Sequence, residues 1–243
     1  MIDLHTHFLH GIDDGASSLT ESLNLARFAV KDGIRACAVT PHIHHGRYHN
    51  AKSSIALHVK AFKQALATAS IPLDVHIGAE VRIGYEAFEQ VLKGEVPFLG
   101  QVNGCHILLL ELPHDQVPVG TLQFVNKLLE LNIRPLIAHP ERNKGILADP
   151  ERVRPLVDAG CWLQVTAGSI TGDFGEAARK LAHQLLDNDM VYVVASDAHN
   201  LTSRPPCLSR ARATVAQKWD ESLAQLLFST RPARILGLPP SGS

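Results

Sequence analysis

Seven short apolar runs, each followed by a stretch with helical spacing, constrain this chain more than any other feature. The runs lie at 2–5, 34–40, 73–78, 106–110, 134–138, 162–165 and 191–195, and they are rich in Val, Ile and Leu without strict alternation. A strand buried on both faces loses the alternation of a half-buried one, so the runs suit a parallel sheet. Helical patterns are expected over 51–69, 85–93, 119–131, 150–159, 174–187 and 203–229, the last broken near 218–220. An earlier helix opens on a capping box, Ser18-x-x-Glu21, carries Leu19, Leu23, Ala26 and Val30 on one face, and stops at Gly33. Seven strand–helix units predict an α/β fold, a (β/α) barrel of seven units, with an open doubly wound sheet as the runner-up. No linker or internal repeat divides residues 1–243, so a single domain is expected, with a loose, proline-bearing tail over 237–243.

Composition narrows the class of function. A chain of 243 residues with 45% hydrophobic side chains buries a full core without staples. A formal charge of −1 supplies no bulk field for nucleic acid or anionic lipid. The cysteines at 37, 105, 161 and 207 form no CxxC pair and read as free thiols of a reducing cytoplasm. No signal-peptide pattern opens the chain, and the clean apolar run at 190–195 is far short of a membrane span. A cytoplasmic protein without membrane insertion is expected. The composition stands out in its 14 histidines.

Those histidines, with several acidic residues, sit at successive run ends. His5 and His7 end the first run and His42 follows the second. Glu80 follows the third, Glu111 the fourth and His139 the fifth, while Asp197 and His199 follow the seventh. In a parallel barrel all these ends share the face where active sites form. His-x-His on a strand puts both rings on one side. Imidazoles and carboxylates without thiolate suit Zn, Mn or Fe. With Asp14 the set holds nine candidates, too many for one ion, so two or three ions sharing bridging carboxylates are expected, as in two-metal phosphatases.

Each residue also has a plainer reading. His-x-His arises by chance, a lone Glu after a strand is often a surface residue, and Asp197 is placed to cap a helix. It is their joint occurrence at successive run ends that carries the argument. Other histidines read as non-ligands: His58 and His183 in helical patterns, His76 and His106 as satisfied core residues, His114 in a loop, and His10 without a clear role. His44, His45 and His49, with Arg47 and Tyr48, form either a solvated loop or a lip that contacts substrate.

The run Ile2-Asp3-Leu4-His5-Thr6-His7, followed by Gly11-Ile12-Asp13-Asp14-Gly15, resembles the polymerase and histidinol phosphatase (PHP) superfamily. Within it the sequence is most similar to the bacterial PHP-type protein-tyrosine phosphatases of capsule and exopolysaccharide gene clusters, the CpsB/YwqE-like group. Thr40-Pro41-His42, Gly78-Ala79-Glu80, Ala138-His139-Pro140-Glu141-Arg142 and Ser196-Asp197-Ala198-His199-Asn200 continue the match in order, over about residues 1–210. The resemblance implies a distorted (β/α)7 barrel of the PHP type holding three divalent or transition-metal ions, Mn first and Fe or Zn next. By position, His5, His7, Glu80 and Asp197 would hold the first ion. Glu80, Glu111 and His139 would hold the second, and Asp14, His42 and His199 the third, with Asp13 as the alternative to Asp14. Arg142 and Arg204 match positions that grip phosphate. The group often carries a second His directly after Thr-Pro-His; here Ile43 intervenes before His44 and His45.

The activity so implied is hydrolysis of phosphotyrosine by a metal-bridged hydroxide, with arginine forks balancing the equatorial oxygens. Either His199 or a metal-bound water would protonate the leaving tyrosinate. The cysteine route of other tyrosine phosphatases needs Cys-x5-Arg, whereas Ile43, Glu111, Ala167 and Ala213 stand six residues after the four cysteines. The implied partner is a phosphotyrosine protein, a bacterial tyrosine kinase that controls capsule or exopolysaccharide synthesis, met by rim loops at 43–50, 112–118 and 169–175. Two rival readings share the same ligands: a small-molecule phosphomonoesterase of histidinol-phosphatase type, and a non-catalytic metal-binding regulatory domain.

Overall fold

The computed structural model describes residues 1–239. Its strands are β1 (Ile2–Thr6), β2 (Ala36–Val39), β3 (His42–Ile43), β4 (Asp74–Ile77), β5 (Glu80–Arg82), β6 (Gly100–Val102), β7 (Cys105–Glu111), β8 (Ile133–Ala138), β9 (Trp162–Thr166) and β10 (Val191–Ala195). All seven apolar runs are strands; β3, β5 and β6 are additions too short to show a period. The pairing is parallel except where β6 joins β7.

The strands divide between two sheets, β1-β2-β4 and β10-β9-β8-β7-β5-β3, with β6 on β7. The division occurs where β2 and β4 stop and the chain resumes two residues later as β3 and β5 in the other sheet. At the first joint Pro41 has no N–H for the ladder. At the second, a Cβ on Gly78 would lie 2.8 Å from Leu99 Cδ2, so only glycine fits without displacement. Backbone bonds stitch the joints, from Gly78 N to Val39 O at 3.0 Å and from Glu80 N to Pro41 O at 3.2 Å. On the other flank, His7 N donates to Ala198 O and Asp197 N to His5 O, both at 2.9 Å, tying β1 to the segment after β10.

Strand β7 shows why alternation was missing from the sequence. Ile107 and Leu109 pack into one apolar cluster with Ile2, Leu4 and Leu136, while Leu108 and Leu110 pack into a second with the helices. Both faces are buried, so both are apolar.

The helices are α1 (Leu19–Lys31), α2 (Lys52–Thr68), α3 (Tyr85–Leu92), α4 (Thr121–Glu130), α5 (Lys144–Ala148), α6 (Arg154–Asp158), α7 (Ala167–Thr171), α8 (Glu176–Asp187), α9 (Ser209–Lys218), α10 (Glu221–Gln225) and α11 (Arg231–Leu236). Several depart from expectation. In α1 the Ser18 hydroxyl accepts from Glu21 N at 3.3 Å, but the Glu21 carboxylate turns to Ser17, so only half of the capping box forms. The buried face of α1 is Ser22, Leu25, Ala26 and Ala29, with Leu19 exposed, because small side chains let the helix approach closely. Residues 203–208 are not helical: Pro205 and Pro206 prevent it, and α9 starts at Ser209, where Asp32 accepts from Leu208 N and Ser209 N. Helices α5, α7 and α11 are too short to have announced themselves. Within the tail expected to be loose, Gly237 takes a left-handed φ of 68° and Leu238 N donates to Ala233 O at 2.9 Å, closing α11. Residues 240–243 lie outside the described part.

Candidate metal centre

The strand termini and the turns just beyond them deliver the candidate ligands. Two, His139 and Asp197, hold left-handed backbones with φ of 36° and 55°. Such conformations cost about 1–3 kcal/mol each and persist where surroundings over-determine them. Here His139 N donates to Gln164 O at 2.8 Å and Asp197 N to His5 O at 2.9 Å.

Three sets of donor atoms result, each within a 4.8 Å span. In the first, His5 Nε2 lies 3.2 Å from His7 Nε2, from Glu80 Oε2 and from Asp197 Oδ1, while His7 Nε2 lies 3.4 Å from the same two oxygens. Donors held 2.0–2.1 Å from a central ion at tetrahedral angles are about 3.3–3.4 Å apart. The second set places Asp14 Oδ1 3.2 Å from His42 Nε2 and 3.4 Å from His199 Nε2, with His7 adjoining. The third is His42, Glu80 and Glu111, with His42 Nδ1 3.0 Å from Glu80 Oε2 and 3.8 Å from Glu111 Oε2.

This third set differs from the expected Glu80, Glu111 and His139. His139 Nε2 meets the other Glu80 oxygen, Oε1, at 2.8 Å. Glu111 is drawn to Arg82, which donates to both of its oxygens at 2.8 and 3.0 Å. All nine expected residues are nonetheless brought to one locus. Asp14 faces the cluster, whereas Asp13 sits behind it and accepts from His7 Nδ1 at 2.7 Å, Gly15 N at 2.9 Å and His42 N at 3.2 Å. His5 Nδ1 faces Gln164 Oε1 at 2.8 Å, and His199 Nδ1 donates to Asp197 O at 3.0 Å. Each backing bond turns a bare Nε2 toward the centre, the arrangement found behind metal-ligating histidines.

The electrostatics suit cations. Glu80 Oε2, Asp197 Oδ1, His42 Nδ1 and His199 Nε2 are buried and have no hydrogen-bond partner, a costly state for atoms without a cation to bind. Burial works against charge on Glu80 and Asp197, yet the surrounding histidines and, for Asp197, arginines hold both carboxyls well below the usual range. Burial also opposes an imidazolium at His42, but Glu80 and Asp14 outweigh it and lift its pKa to about 10, so the field there selects positive charge. Burial, with Arg142 and His7 respectively, pushes His139 and His199 down to about 4, leaving neutral rings. Burial and the neighbouring Glu80 raise Glu111 to about 7. The donor set therefore fits divalent ions.

Arg142 and Arg204 both pair with Asp197 Oδ2. The Arg142 guanidinium also lies 4.4 Å over the Phe174 ring. Arg204 rides on a loop folded by Asn200, whose Oδ1 accepts from Thr202 N, Ser203 N and Arg204 N at 3.1, 2.8 and 3.3 Å. Both arginines line a cavity of about 150 Å³ with six of the nine candidate ligands and with Arg82, Arg47 and Tyr48. Sequence reasoning missed Arg82 and Gln164, which carry no motif, and named Asn200 without a role. Among the histidines set aside, His76 and His106 are not core residues: His76 pairs with Asp74 at 2.8 Å, and His106 stacks in the open on Phe98.

Residues 1–237 match the profile of the capsular polysaccharide synthesis family CpsB/CapC. The chain belongs to that family. It is 36% identical to the tyrosine-protein phosphatase YwqE of Bacillus subtilis over 204 residues, covering 84% of this chain and 79% of YwqE. It is 32% identical to the tyrosine-protein phosphatase CpsB of Streptococcus pneumoniae over 245 residues, covering 97% and 98%. A solved structure from the work on YwqE and CpsB, described as unique metal-dependent tyrosine phosphatases, superposes with a TM-score of 0.90 at 33% identity, over 98% of this chain and 94% of that one. A lactonase from Listeria monocytogenes superposes at 0.56 with 13% identity over 97% of this chain, a likeness of fold alone. Among the described residues, no helix is long and apolar enough to cross a membrane.

Proposed function

We propose that the chain is a metal-dependent protein-tyrosine phosphatase, a single catalytic domain whose two sheets together make a distorted seven-unit barrel. Its substrate is a phosphotyrosine protein of the cytoplasm, a bacterial tyrosine kinase of capsule or exopolysaccharide synthesis. The family and the likeness to the tyrosine-protein phosphatases YwqE and CpsB support this reading. So does the absence of arginine at the sixth position after any cysteine.

When bound, divalent ions, Mn first, would supply a nucleophilic water at neutral pH and offset phosphoryl charge. His5, His7, Glu80 and Asp197 would hold one ion, and Asp14, His42 and His199 a second. Glu80, Glu111 and His139 would hold a third, and His42 Nδ1 faces the same two carboxylates. Arg142 and Arg204 turn their remaining N–H groups to the phosphoryl oxygens. Asp197 keeps both guanidinium groups beside the candidate ligands, where they would position the phosphate before it reacts, and positioning is most of what phosphoryl transfer needs. Glu141, fully buried, accepts from Thr166 N at 2.9 Å and Ser169 Oγ at 2.7 Å and fixes the turn that carries Arg142.

The observation that carries the proposal is the meeting of His5, His7, Glu80 and Asp197 at ligand-like separations, with both arginines on Asp197. The test is metal analysis paired with phosphotyrosine-peptide turnover, with and without chelator. His5→Ala, His42→Ala and His139→Ala should each abolish turnover. Full activity in a chelated, dialysed sample would refute the proposal.

A further inference from the structure

Tyr48 and Arg47 stand at the mouth of the cavity, and the phosphate chemistry makes no use of them. The segment that carries them is built. His44 N donates to Tyr48 O at 3.0 Å, Tyr48 N to His44 O at 2.8 Å and Arg47 N to His44 O at 3.0 Å, a tight hairpin turning on Gly46 with φ 78°. The Asn50 amide pins its base, donating to His42 O and Ile12 O, both at 2.9 Å. The hairpin grows directly from the strand that presents His42, so its position is fixed relative to the candidate metals.

Within this hairpin the Tyr48 ring lies parallel to the His42 ring, at 8° and 5.4 Å between centroids. The Arg47 guanidinium sits 4.9 Å from the Tyr48 centroid. Arg47 is 59% exposed and reaches Asp14 only at 4.0 Å, so it is the movable member of the stack. Charged side chains and imidazoles make up the rest of the cavity lining, and the Tyr48 ring is the carbocyclic surface beside them. A phosphate held by Arg142 and Arg204 in this cavity would have Tyr48 and Arg47 in the same lining to meet its ester group. A flat π-system there meets a ring edge and a guanidinium, the two groups that favour an aromatic over an alkyl tail.

We infer that Tyr48, assisted by Arg47, is the specificity-determining lip that selects aryl over alkyl phosphoesters. The inference rests on the phosphatase reading for its biological use, but binding alone tests it. The metal-loaded protein is titrated calorimetrically with phenylphosphonate and with ethylphosphonate, which share a head group, while phosphotyrosine-peptide turnover is measured in parallel. The wild type should bind the phenyl ligand about 5- to 10-fold tighter, the scale of one aromatic contact. Tyr48→Phe should keep that preference. Tyr48→Leu, which retains bulk against His42, should lose it to within about 2-fold, and Tyr48→Ala should behave likewise. Equal affinities in the wild type, or a preference that survives in Tyr48→Leu, would overturn the inference. A phenyl preference in a protein that leaves phosphotyrosine intact would support the lip and overturn the phosphatase reading instead.

Discussion

Replacing Asp13 by Asn tests whether the histidine tautomers are set from behind. The Asp13 side chain is fully buried and accepts three hydrogen bonds, from His7 Nδ1, Gly15 N and His42 N. An Asn of the same size cannot repeat all of them. With its oxygen toward His7, its NH2 opposes the Gly15 N–H, donor against donor. With its NH2 toward His7, Nδ1 becomes the acceptor and Nε2 carries the proton, which removes the lone pair facing Glu80 and Asp197. Either outcome raises the cost of presenting His7 as a ligand. Losing an outer partner of this kind lowers metal affinity about 10- to 100-fold, or about 1.4–2.7 kcal/mol. The three bonds and complete burial place Asp13→Asn at the upper end of that range. Competition between the protein and a fluorescent chelator for Mn or Zn measures the affinity. Circular dichroism and a melting curve of the metal-depleted variant check the fold, and Asp14→Asn, which alters a donor itself, serves as the comparison. A well-folded Asp13→Asn that keeps wild-type affinity within about 2-fold would refute the tautomer argument.

Three further outcomes are expected. Arg142→Ala and Arg204→Ala should each cut phosphotyrosine-peptide kcat/KM by about 100-fold, the cost of one preorganised donor, with metal content retained by elemental analysis. Gly100→Ala should lower thermal stability by about 2–3 kcal/mol, because its Cβ would fall 1.8 Å from Ile235 O and must push α11 off the β6 edge. Burial raises the Cys161 thiol to about 12 from 9.0. Its stabilising contribution is therefore complete below about pH 9 and is lost as pH rises toward 12, by about 4 kcal/mol in all. Chemical denaturation across that window should show a shallower decline in Cys161→Ala.

The sequence made the seven long strands and the candidate ligands that gather at their ends legible because both are local signals. A Val/Ile/Leu run marks a doubly buried strand, and a His or acid just beyond it needs no partner to be noticed. Ligand grouping is not local. His42 sets Nε2 3.2 Å from Asp14 and Nδ1 3.0 Å from Glu80, and no spacing in the sequence shows that its two nitrogens face different carboxylates. The choice between Asp13 and Asp14 turned on which carboxylate points forward, a matter of the loop around Gly15, where a Cβ would lie 2.1 Å from His7 O. Amphipathicity misjudged α1 because it weighs Leu19 as core, whereas close packing selects Ser22, Ala26 and Ala29.

Strand register accounts for what the sequence withheld. His42 and Glu80 open β3 and β5 and are direct partners in that ladder. Arg82 and Glu111 are partners in the next ladder, between β5 and β7. The two-residue joints at Thr40-Pro41 and Gly78-Ala79 therefore do more than bend the chain. They carry β2 and β4 out of one sheet and enter them in the other at the row that sets imidazole beside carboxylate and guanidinium beside carboxylate. A shift of one residue in either ladder would turn alternate side chains to the opposite face and separate the pair that the ladder holds. This also explains why Arg82 escaped notice: its importance lies in what stands across from it, 29 residues away in the chain. These two pairings are thus a property of two short strands whose lengths, two and three residues, are below what any periodicity can reveal.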